Sequence, residues 1–241
     1  MVHSKLYLSK KARKNEGEIL KDSERLKKVA EAAGFLFIRP GYASTKMKDV
    51  ANQADLSVGT LYNLFESKEA LLDFVFLCNL DPEIPYKDFD FPIKRTKEKD
   101  LVGQISDTYK KITRNFEEKF VSHSTNTLKD LLDDLFNIME LYGQYFLIIE
   151  KNLTINAKLL DLHTNYRKML FKNVHDFLSK MINQGQIRQL SYPSYDARLI
   201  IDTLMWWCAH KRYDSFELET NYSSQITRTV VIGALLNAYK N

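Results

Sequence analysis

The stretch from Gly41 to Leu72, GYASTKMKDVANQADLSVGTLYNLFESKEALL, leaves this chain of 241 residues few ways to fold. It divides into three short helices separated by two tight breaks. Thr45 is placed to cap the first, whose apolar positions Met47, Val50, Ala51 and Ala54 follow the i, i+3, i+4, i+7 spacing of a helix face. Asp55, Leu56 and Ser57 interrupt it. Ser57 is a favourable N-cap for a second helix over Val58–Leu64. Ser67 caps a third, with Ala70, Leu71 and Phe74 on its inner side. Two short helices joined by a turn of three or four residues form a helix-turn-helix. Gly59, Thr60, Tyr62 and Asn63 fall on the outer side of the second helix. Small and hydrogen-bonding groups there allow a helix to approach a nucleic-acid duplex closely.

The rest of the sequence predicts an all-α protein. Only 8 Gly and 5 Pro interrupt long periodic runs. A helix over about 22–38 has an apolar face of Leu26, Val29, Ala30, Ala33 and Phe37, and Pro40 and Gly41 end it. Residues 81–92, DPEIPYKDFDFP, hold three of the prolines and fit no helix. They divide the chain into residues 1–80, a linker or loop over 81–99, and a helical body over 100–241. Tyr86, Phe89 and Phe91 leave two options for that loop, tucked against the body or mobile. In the body, helices follow one another to Tyr239. Gly143 is placed to kink or break one of them, and Gly185 to end another.

Charge is unevenly distributed. Residues 1–48 carry twelve Lys and Arg against five Asp and Glu, whereas the whole chain is only +4. A basic end on a near-neutral body suits a surface that faces nucleic acid. Lys5, Lys10, Lys11, Arg13 and Lys14 form either a solvated tail or an arm adding phosphate or minor-groove contacts. No stretch is long and apolar enough to cross a bilayer, and no apolar signal core follows the basic N-terminus, so no membrane partner is expected and the cytoplasm is the expected location. Cys78 and Cys208 lie far apart, without metal or redox spacing. The histidines His3, His123, His163, His175 and His210 form no catalytic or metal constellation; His163 and His175 are about 120° apart round a helix. No catalytic residue, metal or cofactor is expected, nor an enzyme.

Gly41, Tyr42, Thr45, Asp49, Val50, Ala51, Ala54, Ser57, Gly59, Thr60, Leu61, Tyr62, Phe65 and the run Ser67–Leu72 together resemble the TetR family of bacterial transcriptional regulators. Asp55 stands where that family usually has a glycine, a substitution tolerated because Asp enters the left-handed region more readily than most residues. Val58 and Leu64 replace residues that are often polar, basic or aromatic, which leaves fewer base-reading donors.

The resemblance implies an N-terminal three-helix DNA-binding domain and a C-terminal helical domain for ligand binding and dimerisation. The expected function is a ligand-responsive regulator, most simply a repressor, that binds a palindromic double-stranded operator as a homodimer. Thr45, Lys46, Ser57, Tyr62 and Lys68 are the expected phosphate contacts. Val58–Leu64 would enter the major groove, with Gly59 permitting close approach and Thr60 and Asn63 as base-edge candidates. The helix Lys68–Leu80 would transmit the effector's signal. An unknown effector, apolar or amphipathic, would sit among Tyr109, Phe116, Phe136, Met139, Tyr142, Phe146, Tyr166, Met169, Asn173, Phe177 and Trp206. Ile200, Leu204, Trp207, Ile226, Val230, Gly233, Ala234 and Asn237 are the expected dimer contacts. The alternative keeps the DNA binding without an inducer, as an architectural or protein-interaction factor on the same fold.

Overall fold

The computed structural model describes residues 21–120, 126–218 and 221–241, and the chain divides into two units, residues 1–101 and 102–241. The basic arm Lys5–Lys14, with His3 and His123, lies outside the described residues.

In the first unit α1 runs over 21–36 and ends in a π-turn, Phe37–Gly41, where Arg39 takes an extended conformation. Gly41 follows at φ 107°, a region that favours glycine. Leu26, Val29, Ala33 and Phe37 are buried, so the apolar stripe read from the sequence is the inner face of α1. Next come α2 (Met47–Gln53), α3 (Val58–Leu64) and α4 (Lys68–Leu80). Residues 81–97 form a strap with one short 3₁₀ turn, Ile84–Tyr86. The strap is held against α3 and α4 of its own unit, and of its aromatic side chains only Phe89 packs inward, while Tyr86 and Phe91 remain exposed. Ile93 donates its N–H to the Leu64 carbonyl at 2.8 Å, and its own carbonyl accepts from Glu66 N–H at 3.1 Å. Phe89 packs edge-on against Phe74, with 5.7 Å between ring centres.

α5 (Glu98–Phe120) carries the chain into the second unit, which continues with α6 (Leu128–Lys151), α7 (Ala157–Asn183) and α8 (Pro193–Met205). A π-turn, Trp206–His210, leads to the short α9 (Lys211–Tyr213), and α10 (Ser224–Tyr239) ends the chain. The helix ends are explained locally. The Thr127 side chain accepts from Asp130 N–H while Asp130 accepts from Thr127 N–H, a capping box. Asn156 caps α7 through Leu159 N–H at 3.1 Å. Gly185, at φ 67°, closes α7 with the paired bonds Gly185 N–H to Ile182 O and Gln186 N–H to Met181 O, the Schellman arrangement.

α6 is the axis of this unit and packs against α7, α8, the π-turn and α10. It does not break at Gly143. Leu135, Phe136 and Met139 before the glycine, and Phe146, Leu147 and Ile149 after it, are fully buried. Each such side chain stabilises by about 1.5–3 kcal/mol, which outweighs the roughly 1 kcal/mol cost of a mid-helix glycine. The glycine serves a close approach instead: a Cβ there would lie 2.8 Å from the Ala209 Cβ. α10 is fastened to α6 by Arg228, which reaches Asp133 at 2.8 Å and lies over the Phe136 ring, and by Ser224, which donates to Glu140 at 2.9 Å.

Candidate nucleic-acid interface

The turn between α2 and α3 is set by its residues. Asp55 has φ 56°, the left-handed position anticipated for it, and two hydrogen bonds close the end of α2 around it. Asp55 N–H meets Asn52 O at 3.2 Å and Leu56 N–H meets Ala51 O at 2.9 Å. This is again the Schellman pattern, with an aspartate in the usual glycine place. Ser57 then caps α3: its Oγ accepts from Thr60 N–H at 3.0 Å and lies 2.8 Å from the Thr60 hydroxyl.

Leu61 and Leu64 face the core. Leu64 is therefore not an exposed substitute for a base-reading residue, as the sequence suggested; it is 5% exposed and anchors the helix from within. Gly59 and Asn63 are exposed, Tyr62 is half exposed, and Val58 and Thr60 lie at the margin. A Cβ at Gly59 would meet only Ser57 Oγ, at an ordinary 3.8 Å. Nothing within the protein therefore requires glycine there.

Two expected phosphate contacts turn inward. Thr45 does not cap α2; Lys46 occupies that position, and its N–H donates to the Asp49 carboxylate at 2.8 Å. The Thr45 hydroxyl lies 3.0 Å from Leu36 O and 2.9 Å from Gly41 O, and the residue is 1% exposed. It pins the end of α1 to the start of α2, which removes its side chain from any phosphate. The Lys68 ammonium donates to the carbonyls of Tyr42 and Thr45, both at 3.0 Å, and sits 4.3 Å from the Tyr42 ring centre. It is first a brace for the loop before α2. The low-dielectric surroundings, with Glu69 adjacent, push the Tyr42 hydroxyl up to about 12. Lys46 remains exposed, as does Lys48, which the sequence reading passed over.

That reading also missed how the strap holds α3. Its bridge lies at Leu64–Glu66, the exit of the helix. Arg95 N–H donates to Glu66 at 2.7 Å, and Thr96 N–H donates to the buried Asp73 carboxylate at 3.0 Å. Burial raises the Asp73 carboxyl to about 6, with Arg95, 3.7 Å away, opposing the shift. The helix is thus fixed at its entrance by Ser57, beneath by Leu61 and Leu64, and at its exit by the strap.

In the second unit the expected effector positions separate. Tyr109, Phe116, Phe136, Met139, Phe146, Tyr166 and Phe177 are buried, and Tyr142 and Asn173 half-buried. Met169 and Trp206 are 38% and 45% exposed and do not face the interior. The periodicity explains both: the inner positions of α7 are Tyr166, Leu170 and Val174, and those of α8 are Ile200, Leu204 and Cys208 beyond it, which turns Met169 and Trp206 outward. Tyr109, Tyr142, Phe146 and Tyr166 share one aromatic cluster, with Tyr109 stacked on Tyr166 at 4.6 Å. Phe116, Asn173 and Phe177 instead line a separate cleft of about 600 Å³ with charged neighbours such as Arg114 and Lys180.

The expected dimer positions are likewise corrected in part. Ile200 and Leu204 are fully buried within the unit, so they complete its own core. Trp207 and Gly233 are half-buried, while Ile226, Val230, Ala234 and Asn237 are exposed along α10. From α8 into the π-turn runs an outer row that was not among the expected dimer positions: Tyr195, Leu199 and Trp206 are 76%, 56% and 45% exposed. Among the described residues no helix is long and apolar enough to cross a membrane.

The first unit thus presents a braced helix-turn-helix with a small, polar outer face, and a helical unit follows it in the chain. Residues 29–75 match the model for the bacterial regulatory proteins of the tetR family. The chain is similar to the HTH-type transcriptional repressor KstR of Rhodococcus jostii, 45% identical over 49 residues, and to KstR of Mycobacterium tuberculosis, 43% identical over 49 residues. These matches cover 20% of this chain and only 23% and 22% of the two relatives. The fold as a whole is shared with the ketosteroid transcriptional regulator KstR2 of M. tuberculosis, at 18% identity and a TM-score of 0.55, over 90% of this chain and 95% of that one.

Proposed function

We propose that the protein is an effector-responsive transcriptional repressor that binds a two-fold symmetric operator as a homodimer. The observation that carries this reading is α3. It is fixed at both ends and from below, and its free side offers Gly59, Thr60, Tyr62 and Asn63. Such a helix enters a major groove without ordering itself first. Thr60 and Asn63 are the base-edge candidates, Asn being able to bond adenine bidentately. Lys46, Ser57 and Tyr62 would hold phosphates, which fix orientation without reading sequence. The outer rows of α8 and α10 supply apolar surface for a two-fold contact, the symmetry that an operator of two half-sites requires. An effector alters DNA affinity only as far as it binds the DNA-competent state better or worse than the alternative.

Selection from a random duplex pool tests this reading, comparing wild type with Tyr62→Ala. The expected result is a two-fold symmetric consensus that weakens or disappears in the variant. Recovery of unenriched sequences by the wild type would leave only charge-driven binding and overturn the proposal.

A further inference from the structure

A second cleft, of about 410 Å³, opens in the second unit between the end of α6, α7 and α8. Its wall holds three cations, Arg167, Lys168 and Arg198, beside the apolar side chains of Leu153, Leu160 and Phe171. Arg167 is the unusual member. Its side chain is only 21% exposed, yet its contacts are long: Nε lies 3.7 Å from Glu150 Oε1, and Nη2 lies 4.0 Å from Asp202. Both exceed ordinary hydrogen-bond length. The same Glu150 oxygen is already engaged by His163 Nε2 at 2.8 Å, and His163 Nδ1 meets the Tyr109 hydroxyl at 2.9 Å. Arg167 Nη1 is buried with no acceptor at all. A largely buried guanidinium left this way is out of keeping with the rule that such donors find partners. Arg198 lies with its guanidinium carbon 4.7 Å from the Phe171 ring centre. That contact pairs the Arg198 charge with the ring rather than with an acceptor, so its N–H donors can serve a planar acceptor.

We infer that this cleft binds the carboxylate of a small amphipathic acid, with Arg167 and Arg198 holding its oxygens and Leu153, Leu160 and Phe171 covering its apolar part. The charge balance favours one negative charge over two. Arg167, Lys168 and Arg198 are opposed by Glu150 in the wall and Asp202 beside it, an excess of a single positive charge. A doubly charged phosphate head would exceed it. The volume falls within the range of small-molecule sites. As a statement about regulation the inference rests on the proposed effector-responsive function; as a statement about binding it rests on this cleft alone.

Calorimetric titration of the full chain, without DNA and at low ionic strength, tests it with octanoate as probe and octan-1-ol as its uncharged counterpart. Saturable binding of one octanoate per chain is expected, with octanol at least tenfold weaker. Arg167→Met should weaken octanoate at least tenfold and Arg198→Met several-fold. Should Arg167→Met melt early, Arg198→Met, whose side chain is exposed, carries the test by itself. No binding to wild type, equal binding of the alcohol, or octanoate binding unchanged in the variants would overturn the site. DNA affinity is read separately: octanoate binding that leaves it unchanged upholds the cleft and counts against effector control.

Discussion

Replacing Gly59 with alanine should make the protein more stable and a poorer DNA reader. Glycine near the start of α3 is unfavourable by about 0.5–1 kcal/mol relative to alanine, through the freedom it loses on folding. The new methyl would meet only Ser57 Oγ at 3.8 Å, so nothing in the free protein offsets that gain. For a domain of this size, 0.5–1 kcal/mol raises the melting temperature by about 2–8 °C. On DNA the balance reverses. A methyl between α3 and the groove floor moves the helix outward, and base-edge hydrogen bonds weaken steeply once stretched beyond their normal length. Losing one bidentate base contact corresponds to about 1–3 kcal/mol, or roughly 5- to 150-fold in specific affinity, whereas phosphate-driven binding persists. Differential scanning calorimetry and fluorescence anisotropy on a selected operator and a scrambled duplex read both halves. Unchanged operator affinity would show that α3 does not approach the duplex at Gly59. A lowered melting temperature would show that the glycine serves the protein's own backbone.

Three further outcomes follow from the same geometry. Lys68→Met should lower the stability of the first unit by about 2–3 kcal/mol, because two charge-assisted hydrogen bonds to Tyr42 O and Thr45 O are lost; the salt slope of DNA binding should stay near wild type, and a slope lower by about one with unchanged melting would restore Lys68 as a phosphate contact. Asp73→Asn keeps an acceptor for Thr96 N–H and removes a buried charge, so it should stabilise by about 1 kcal/mol at pH 8. The folded pKa of Asp73 is raised to about 6. Wild type therefore gains stability relative to the variant as pH falls through 6 towards the unfolded carboxyl value, and the advantage of the variant should shrink over that window in urea titrations. An advantage that grows on acidification would contradict the assignment. Val230→Glu, on the exposed face of α10, should shift sedimentation from dimer towards monomer without loss of helicity, and an unchanged dimer would place the contact elsewhere.

The helix-turn-helix was legible because its determinants are local. Ser57 and Ser67 cap the helices the sequence assigned them, and Asp55 adopts the left-handed turn. Helix periodicity likewise gave the inner face of α1 and the stop at Gly185. What escaped depends on partners distant in sequence. The pairing of Ile93 with Leu64 and Glu66 is a single bridge in a proline-rich segment, with no alternating pattern to announce it. Thr45 and Lys68 carry the chemistry of phosphate contacts, and only the fold directs them to carbonyls of the α1–α2 connection. In α8 and the π-turn after it apolar residues occupy both sides, so composition alone did not separate the buried Ile200 and Leu204 from the exposed Leu199 and Trp206. Gly143 reads as a breaker until Ala209 is brought against it.

Whether α3 reads the major groove is tested most directly by removing major-groove acceptors one at a time. Purine N7 is presented only there. An operator obtained by selection would be rebuilt with 7-deazaadenine or 7-deazaguanine at single positions, and each duplex titrated with the wild-type protein. Losses of about fivefold or more at a few positions, repeated symmetrically in the two half-sites and reduced in Asn63→Ala at one of them, are the predicted result. Affinity indifferent to every N7 substitution would contradict the account.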